Sequence, residues 1–293
     1  MNYSEAKQAH QSLNFNKFNT DPLFLYLNQF MKSGNKELQA QFLRYLNFEP
    51  TSKKVNDRFK EVYEFVKNTN ALKKVKQFVL EKRQIAIWFD EAQTQNQLQE
   101  LSSIDLVQDE FSPTNSIDKQ LFSKVQKANA FSDIAQIVST MKNMLEKKIY
   151  WTYYNTQTTR IIEDIFNKHP KVMPTLVDIK GVDFFLNDIP VDLKITRIPS
   201  KFDENFVKND LIKWLYENQS EQRFGAENRL FLILHDSRNP DNSDRLKTSH
   251  YQTIKEQIND YLTNYVPTNL QDISFVFAGK SYEVKSDLIF INI

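Results

Sequence analysis

The sequence predicts an α/β protein in which a mixed central sheet is flanked by helices and preceded by a mostly helical region. Residues 1–150 carry apolar residues mainly at helical spacing, whereas residues 151–293 alternate helical patterns with short strand-like runs. The run LFLIL at 230–234 is apolar throughout, as expected of a central strand covered on both faces. Because alternating helices and strands form layers, we predict a helical region 1–150 and an α/β region 151–293.

The first region shows four clear helical segments. Asp21 is a plausible N-cap, with Pro22 at the first helical position of DPLFLYLNQFM. The segments VNDRFKEVYEFVKN, ALKKVKQFVLEKR and FSDIAQIVSTMKNMLEKK have the same periodicity. The polar stretch 92–120 contains a proline and many Gln and Ser residues, which predicts a loop or a weakly ordered region.

The second region predicts helix, hairpin, helix, buried strand, helix and final strands. A helix over TQTTRIIEDIFNKH ends before a proline, and strands 182–186 and 189–196 then flank a turn at Asn187 and Asp188. Helices around ENFVKNDLIKWLYEN and YQTIKEQINDYLTNY enclose the buried strand RLFLILHD. The segment ISFVFAGKSYEVKSDLIFINI supplies the last strands.

Composition excludes several classes of site. The chain has no cysteine, which excludes disulfides and thiolate metal sites and fits a cytoplasmic protein. No apolar run is long enough to span a bilayer, so we expect no membrane partner. The four glycines cannot form a dinucleotide fingerprint or a P-loop, and AGKS at 278–281 is followed by a strand pattern rather than a helix. We therefore expect no nucleotide cofactor. The net charge of +1 neither demands nor forbids a nucleic-acid partner.

A nearly repeated tetrapeptide draws attention to the hairpin: Val-Asp-Ile-Lys at 177–180 and Val-Asp-Leu-Lys at 191–194. A two-residue turn at Asn187 and Asp188 would place Asp183 opposite Asp192, with Lys194 on the same face. Facing carboxylates repel each other, and a divalent cation between them reverses that effect. Carboxylates and water are ligands that Mg²⁺ prefers.

The spacing Asp183, eight residues, then Asp192-Leu193-Lys194 resembles the core motif of the PD-(D/E)XK, or restriction-endonuclease-like, nucleases. The resemblance covers about residues 155–240. Val182 precedes Asp183, at the position of the proline that gives the motif its name. It implies a core of helix, three-strand meander, helix and strand. It also implies metal binding by Asp183 and Asp192, a water-orienting role for Lys194, and an acidic residue on the first helix. Glu163 matches that position, with Asp164 as the neighbouring alternative.

The resemblance further implies a Mg²⁺-dependent endonuclease acting on double-stranded DNA, with Mn²⁺ as a substitute metal. A bacterial type II restriction enzyme or another DNA-defence nuclease is the implied role, and such enzymes commonly act as homodimers. Arg160, Arg197 and Lys201 are the candidate phosphate contacts, because cations near a nuclease site meet the substrate backbone. The region 1–150 would then serve recognition, dimerisation or partner contact.

Several alternatives stay open. The first tetrapeptide could contribute Asp178, although that segment reads as the approach to the first strand. Asp272, Glu283 and Lys285 also fit the motif, but too few residues follow to supply a second helix and strand. The hairpin charges could form a solvated cluster bridged by lysine. The protein could also be a non-catalytic nucleic-acid-binding or interaction protein on the same fold, or act on RNA.

Overall fold

In the computed structural model, the structure describes residues 1–32, 34–86, 88–104, 124–127, 131–218 and 225–293. The first part of the chain is helical, as predicted. Its helices are α1 Tyr3–Gln11, α2 Leu23–Met31, α3 Lys36–Leu46, α4 Val55–Asn68, α5 Leu72–Glu81 and α6 Glu91–Ser102.

The later part of the chain forms a six-stranded mixed sheet with helices between its strands. The helices are α7 Phe131–Lys168, α8 Lys208–Glu217, the short α9 Leu246–Ser249 and α10 Tyr251–Asn264. The strands are β1 Val172–Ile179, β2 Val182–Leu186, β3 Ile189–Arg197, β4 Arg229–His235, β5 Gln271–Phe277 and β6 Lys280–Asn292. Their order in the sheet is β1-β2-β3-β4-β6-β5. The α/β class and the mixed sheet flanked by helices are therefore confirmed.

Strand β4 lies at the centre of this sheet. It pairs in parallel with β3 on one side and with β6 on the other, while β1–β2, β2–β3 and β5–β6 are antiparallel. Leu230, Leu232 and Leu234 face α7 and α10, whereas Phe231 and Ile233 face α8. Both faces of the strand are covered, which explains why its sequence is continuously apolar rather than alternating.

The N-terminal helices pack against the outer half of the sheet. Tyr26 of α2 stacks on Phe185 of β2, with 4.1 Å between ring centroids. The Gln29 side-chain oxygen accepts a hydrogen bond from the Leu176 backbone N–H at 2.9 Å, within the buried interface. Helix α2 thus covers β2 and the edge strand β1, and Gln29 satisfies the Leu176 N–H on the open side of β1.

Four local predictions differ from the structure. The polar stretch 92–120 is not wholly a loop, because α6 includes residues 91–102; Asp90 caps that helix in a capping box with Gln93. The remainder of that stretch, from residue 105, lies outside the described residues. Asp21 is not an N-cap: its carboxylate accepts from the chain's terminal amine at 2.7 Å, and Pro22 occupies the cap position.

The segment around Asp178 is a strand rather than an approach to one. Residues 172–179 form β1 and pair with β2 through Pro174 and Phe184. The two helices predicted on either side of residue 150 are one 38-residue helix, α7. The division into regions 1–150 and 151–293 stays a prediction. Within the described ranges, no helix combines the length and apolar character needed to cross a bilayer.

Candidate active site

The hairpin of β2 and β3 has the predicted register. Phe184 pairs with Val191, and Leu186 pairs with Ile189. The turn residues Asn187 and Asp188 have φ angles of 49° and 69°. A two-residue turn with positive φ at both positions matches the twist of a hairpin, and Asn and Asp tolerate that conformation better than most residues.

The hydrogen-bonded ladder ends one position before Asp183 and Asp192. Strand β3 leaves β2 there and pairs with β4, and the Asp192 N–H donates to the Asn228 carbonyl at 2.9 Å. The Asp183 carboxylate accepts from the Leu193 N–H at 2.6 Å. The two aspartates thus lie where the strands separate, with a side chain taking the place of the missing ladder bond.

Helix α7 brings Glu163 to the same place. Burial raises the pKa of Glu163 to about 8, and the charge of Asp183 adds to that rise. Burial likewise raises the pKa of Asp183 to about 6, with the charge of Asp192 as the second cause. Lys194 opposes both shifts. The four residues that the motif selected therefore act on one another electrostatically, although Glu163 is far from the hairpin in sequence.

Asp192 differs from the other two acids because cations hold both of its oxygens. Lys194 Nζ contacts Oδ1 at 2.8 Å, and Arg229 Nε contacts Oδ2 at 3.1 Å. Arg229 also pairs with Glu227 at 3.1 Å. Lys194 thus pairs with Asp192, whereas Asp183 accepts from the Leu193 N–H, so in the described residues the lysine does not bridge the two aspartates; the buried Arg229 guanidinium is the second partner of Asp192 instead.

A cleft of about 660 Å³ opens beside Glu163 and Asp183, and neither Asp192 nor Lys194 is among the described residues that line it. Arg160, Glu163 and Asp183 line it, and so do Asn167 and Asp178. Asn167 is buried, and its side-chain oxygen has no hydrogen-bond partner in the described part of the chain. A buried oxygen without a donor is costly unless a ligand or water meets it, which makes this cleft the best candidate for binding.

The alternative acids lie in other surroundings. Asp164 accepts from the Phe89 N–H at 3.1 Å and pairs with Lys168, so it supports the start of α6. Asp272 pairs with Lys285 at 2.8 Å across β5 and β6, and its side chain is 80% exposed. Glu283 is exposed opposite Ser274 on the same edge. Asp178, in contrast, lies at the cleft and adds to the raised pKa of Asp183.

The three predicted phosphate contacts are placed differently. Arg160 is exposed at the cleft, with its guanidinium 5.8 Å from the centroid of the Phe89 ring. Lys201 is exposed in the loop after β3. Arg197 forms an ion pair with Asp244 at 3.4 Å and donates to the Asp241 carbonyl at 2.7 Å. It therefore braces the segment after β4 while remaining partly exposed.

The fit of a metal ion rests on few ligands. No group of three or more acidic, histidine or cysteine side chains close enough to hold a metal is found among the described residues. Mg²⁺, however, usually keeps several waters and binds proteins through one or two carboxylates plus substrate phosphates. Asp183 and Glu163 are acids whose charge is poorly compensated, and the orphaned Asn167 oxygen lies beside them. This donor set fits Mg²⁺.

Sequence reasoning missed Arg229, Glu227 and Asn167. Arg229 begins the apolar run of β4, and a charged residue opening a strand buried on both faces must find a buried partner. That signal could have identified it. Asn167 follows Glu163 by four residues and so shares its helix face, although a lone asparagine at that spacing is a weak indication.

The comparisons with known proteins give no family assignment. No family model, curated protein or solved structure matches this chain.

Proposed function

We propose that this protein is a metal-dependent endonuclease that hydrolyses DNA, as its resemblance to the PD-(D/E)XK nucleases implies. The main support is that Glu163, Asp183, Asp192 and Lys194, distant or separated in sequence, meet at the point where β2 and β3 diverge. The order α7, β1–β2–β3, α8, β4 also agrees with the helix, meander, helix and strand of that family. A cytoplasmic restriction or DNA-defence enzyme of bacterial type is the proposed role.

Each residue of the proposed site has a distinct task. Asp183 and Asp192 would hold Mg²⁺ or Mn²⁺ and Glu163 would complete the site, because hard cations prefer oxygen ligands. The metal would supply Lewis-acid stabilisation of the phosphate oxygens and a more acidic bound water. Lys194, whose ammonium is partly exposed beside Asp192, would orient the attacking water and stabilise negative charge on the phosphate.

The raised pKa values define the proton state of the site. With its pKa near 8, the Glu163 carboxyl holds a proton at neutral pH when no cation is bound. Asp183, with a pKa near 6, is mostly ionised at the same pH. Glu163 is therefore placed to give up a proton when positive charge enters the cleft, and to take one back when it leaves.

The substrate contacts follow from the exposed cations. Arg160, at the cleft beside Glu163, is the best placed of the three to meet a phosphate of double-stranded DNA. Lys201, exposed in the loop after β3 with its ammonium 5.9 Å from the centroid of the Phe202 ring, would reach a backbone from there, whereas Arg197 would contribute charge while still paired with Asp244. A homodimer would place two such sites on two strands, as the resemblance implies.

The second candidate is a non-catalytic nucleic-acid-binding protein on the same fold. Its support is that Lys194 and Arg229 already hold both oxygens of Asp192, while no cluster of three metal-ligating side chains occurs in the described ranges. This arrangement is what we expect of a site that has lost its metal, with cationic side chains of the protein occupying the place of the ion.

Cleavage of long double-stranded DNA separates the two candidates. The wild type, Asp192→Ala and the exposed control Asp272→Ala are incubated with Mg²⁺, Mn²⁺ or EDTA, with RNA as a parallel substrate. We expect cleavage by the wild type and the control, and none by Asp192→Ala or in EDTA. Binding without cleavage in all three proteins would favour the second candidate. Selective cleavage of RNA would reassign the substrate.

A further inference from the structure

Arg229 is held on three sides at the first residue of β4. It stands beside Asp192 in the parallel ladder between β3 and β4. Its guanidinium contacts the Asp192 and Glu227 carboxylates, each at 3.1 Å, and lies 5.0 Å from the centroid of the Tyr216 ring. A planar guanidinium fixed by two acids and an aromatic face has little freedom to change partner.

The two cationic side chains that contact Asp192 differ in their exposure to solvent. The Arg229 side chain is 6% exposed, whereas the Lys194 side chain is 47% exposed, and within the described residues its ammonium pairs with Asp192 alone. Lysine is a flexible, strongly hydrated point charge, and a half-exposed pair of this kind is weak. Lys194 can therefore leave the Asp192 carboxylate when another cation takes its place, whereas Arg229 cannot.

The charges favour replacement of Lys194 by another cation. Glu227, Arg229 and Asp192 are buried and together carry one net negative charge. Lys194 neutralises that charge here. When Lys194 turns away, a buried negative charge is left at Oδ1, which attracts any cation that can reach it.

We propose that Arg229 is a positioning residue for Asp192. It fixes the Oδ2 atom and leaves Oδ1 to exchange between Lys194 and the divalent cation of the site. This inference rests on the proposed function, since it concerns the same metal. It assigns Lys194 two positions: on Asp192 without metal, and released toward substrate when metal binds.

Glu227 connects Arg229 with the backbone turn that precedes Asp183. Its side chain packs against Gly181, where an added Cβ would lie 2.6 Å from the Glu227 Cγ. Gly181 has a φ of 77° and forms the turn from which Asp183 follows two residues later. Glu227 and Arg229 thus connect the backbone turn before Asp183 with the carboxylate of Asp192.

Binding of Mn²⁺ to the full chain, followed by electron paramagnetic resonance of the free ion, tests the proposal without relying on catalysis. The main variant is the double substitution Arg229→Met with Glu227→Leu, which removes one charge of each sign. Replacing a buried ion pair by apolar groups is often neutral for stability, so this protein should fold. We expect it to bind Mn²⁺ about 10- to 100-fold more weakly, as for other residues that orient metal ligands.

Two single variants sharpen the test. Arg229→Lys keeps the positive charge but loses the planar, forked guanidinium. We expect its Mn²⁺ affinity to lie between the affinities of the wild type and of the double variant. Lys194→Met removes the competing cation, so Mn²⁺ should bind up to about 5-fold more tightly while cleavage is lost. Thermal unfolding of each variant checks that it is folded. If the double variant does not fold, the Mn²⁺ affinities of Arg229→Lys and Lys194→Met test the proposal in its place.

The outcomes distinguish this inference from the proposed function. A wild type that binds no Mn²⁺ and cuts no nucleic acid overturns the metal-dependent nuclease, and the inference with it. A wild type that binds Mn²⁺, beside a folded double variant or Arg229→Lys with equal affinity, overturns only the role of Arg229. Weaker Mn²⁺ binding by Lys194→Met would contradict the exchange at Oδ1.

Discussion

Replacing Glu163 by glutamine should change how the stability of the protein depends on pH. The folded protein raises the pKa of this carboxyl from 4.5 to about 8, mainly by burial. The folded state therefore binds the proton more tightly than the unfolded chain does. Stability is lost as the pH rises from about 4.5 to about 8, because ionised Glu163 is disfavoured only in the folded protein.

The magnitude follows from the same values. One pKa unit corresponds to about 1.4 kcal/mol. The rise of the Glu163 pKa to about 8 therefore means that about 5 kcal/mol of stability is lost once the pH is above 8. Part of it comes from the charge of Asp183, which can itself take up a proton. We therefore expect Glu163→Gln to gain about 2 to 5 kcal/mol over the wild type between pH 5 and pH 9.

Chemical denaturation at pH 5, 7 and 9 in EDTA measures this difference. Glutamine keeps the size of the side chain and cannot ionise, and the exposed Glu49→Gln serves as the matched control. The wild type and the control should lose stability together as the pH rises, while Glu163→Gln loses less. Parallel pH profiles for all three proteins would refute the argument that Glu163 is a buried acid beside other acids.

Three further outcomes are expected. Mn²⁺ should raise the melting temperature of the wild type more at pH 8.5 than at pH 5.5, because bound protons compete with the cation; equal shifts would place the ion elsewhere. Gly181→Ala should destabilise by about 2 to 4 kcal/mol in denaturant titrations, since its φ is positive and its Cβ would meet Glu227. Gly279→Ala has the same φ constraint with nothing within 4 Å, so it should lose only about 1 kcal/mol, and equal losses would contradict the contact with Glu227. Asp272→Ala should change stability by less than about 1 kcal/mol, as measured by the same titrations, because its pair with Lys285 is exposed; a larger loss would show that this edge pair is structural.

Local signals in the sequence predicted much of the fold. The hairpin register follows from Asn187 and Asp188, whose tolerance of positive φ fixes the turn. The central position of β4 follows from its unbroken apolar run. The helix over residues 91–102 was missed because its polar composition hides a capping box that begins at Asp90.

The candidate site could be predicted only in part. The motif selects Asp183, Asp192 and Lys194, and it places Glu163 on the preceding helix. It cannot indicate Arg229, because the Asp192–Arg229 contact depends on how β4 joins the sheet, 37 residues later. Periodicity and turn chemistry describe neighbours along the chain, whereas this ion pair is a property of the assembled sheet.

The parallel alignment of β3, β4 and β6 has a consequence for folding. Asp192, Arg229 and Ser286 are neighbours across these strands, yet 37 and 57 residues separate them along the chain. Closing such loops slows folding relative to the formation of local helices. During synthesis from the N-terminus, Asp192 leaves the ribosome before its buried partner Arg229, and Arg229 before the strand that covers it. The candidate site is therefore among the last parts of the molecule to form, and a chain that ends before Ser286 leaves it incomplete.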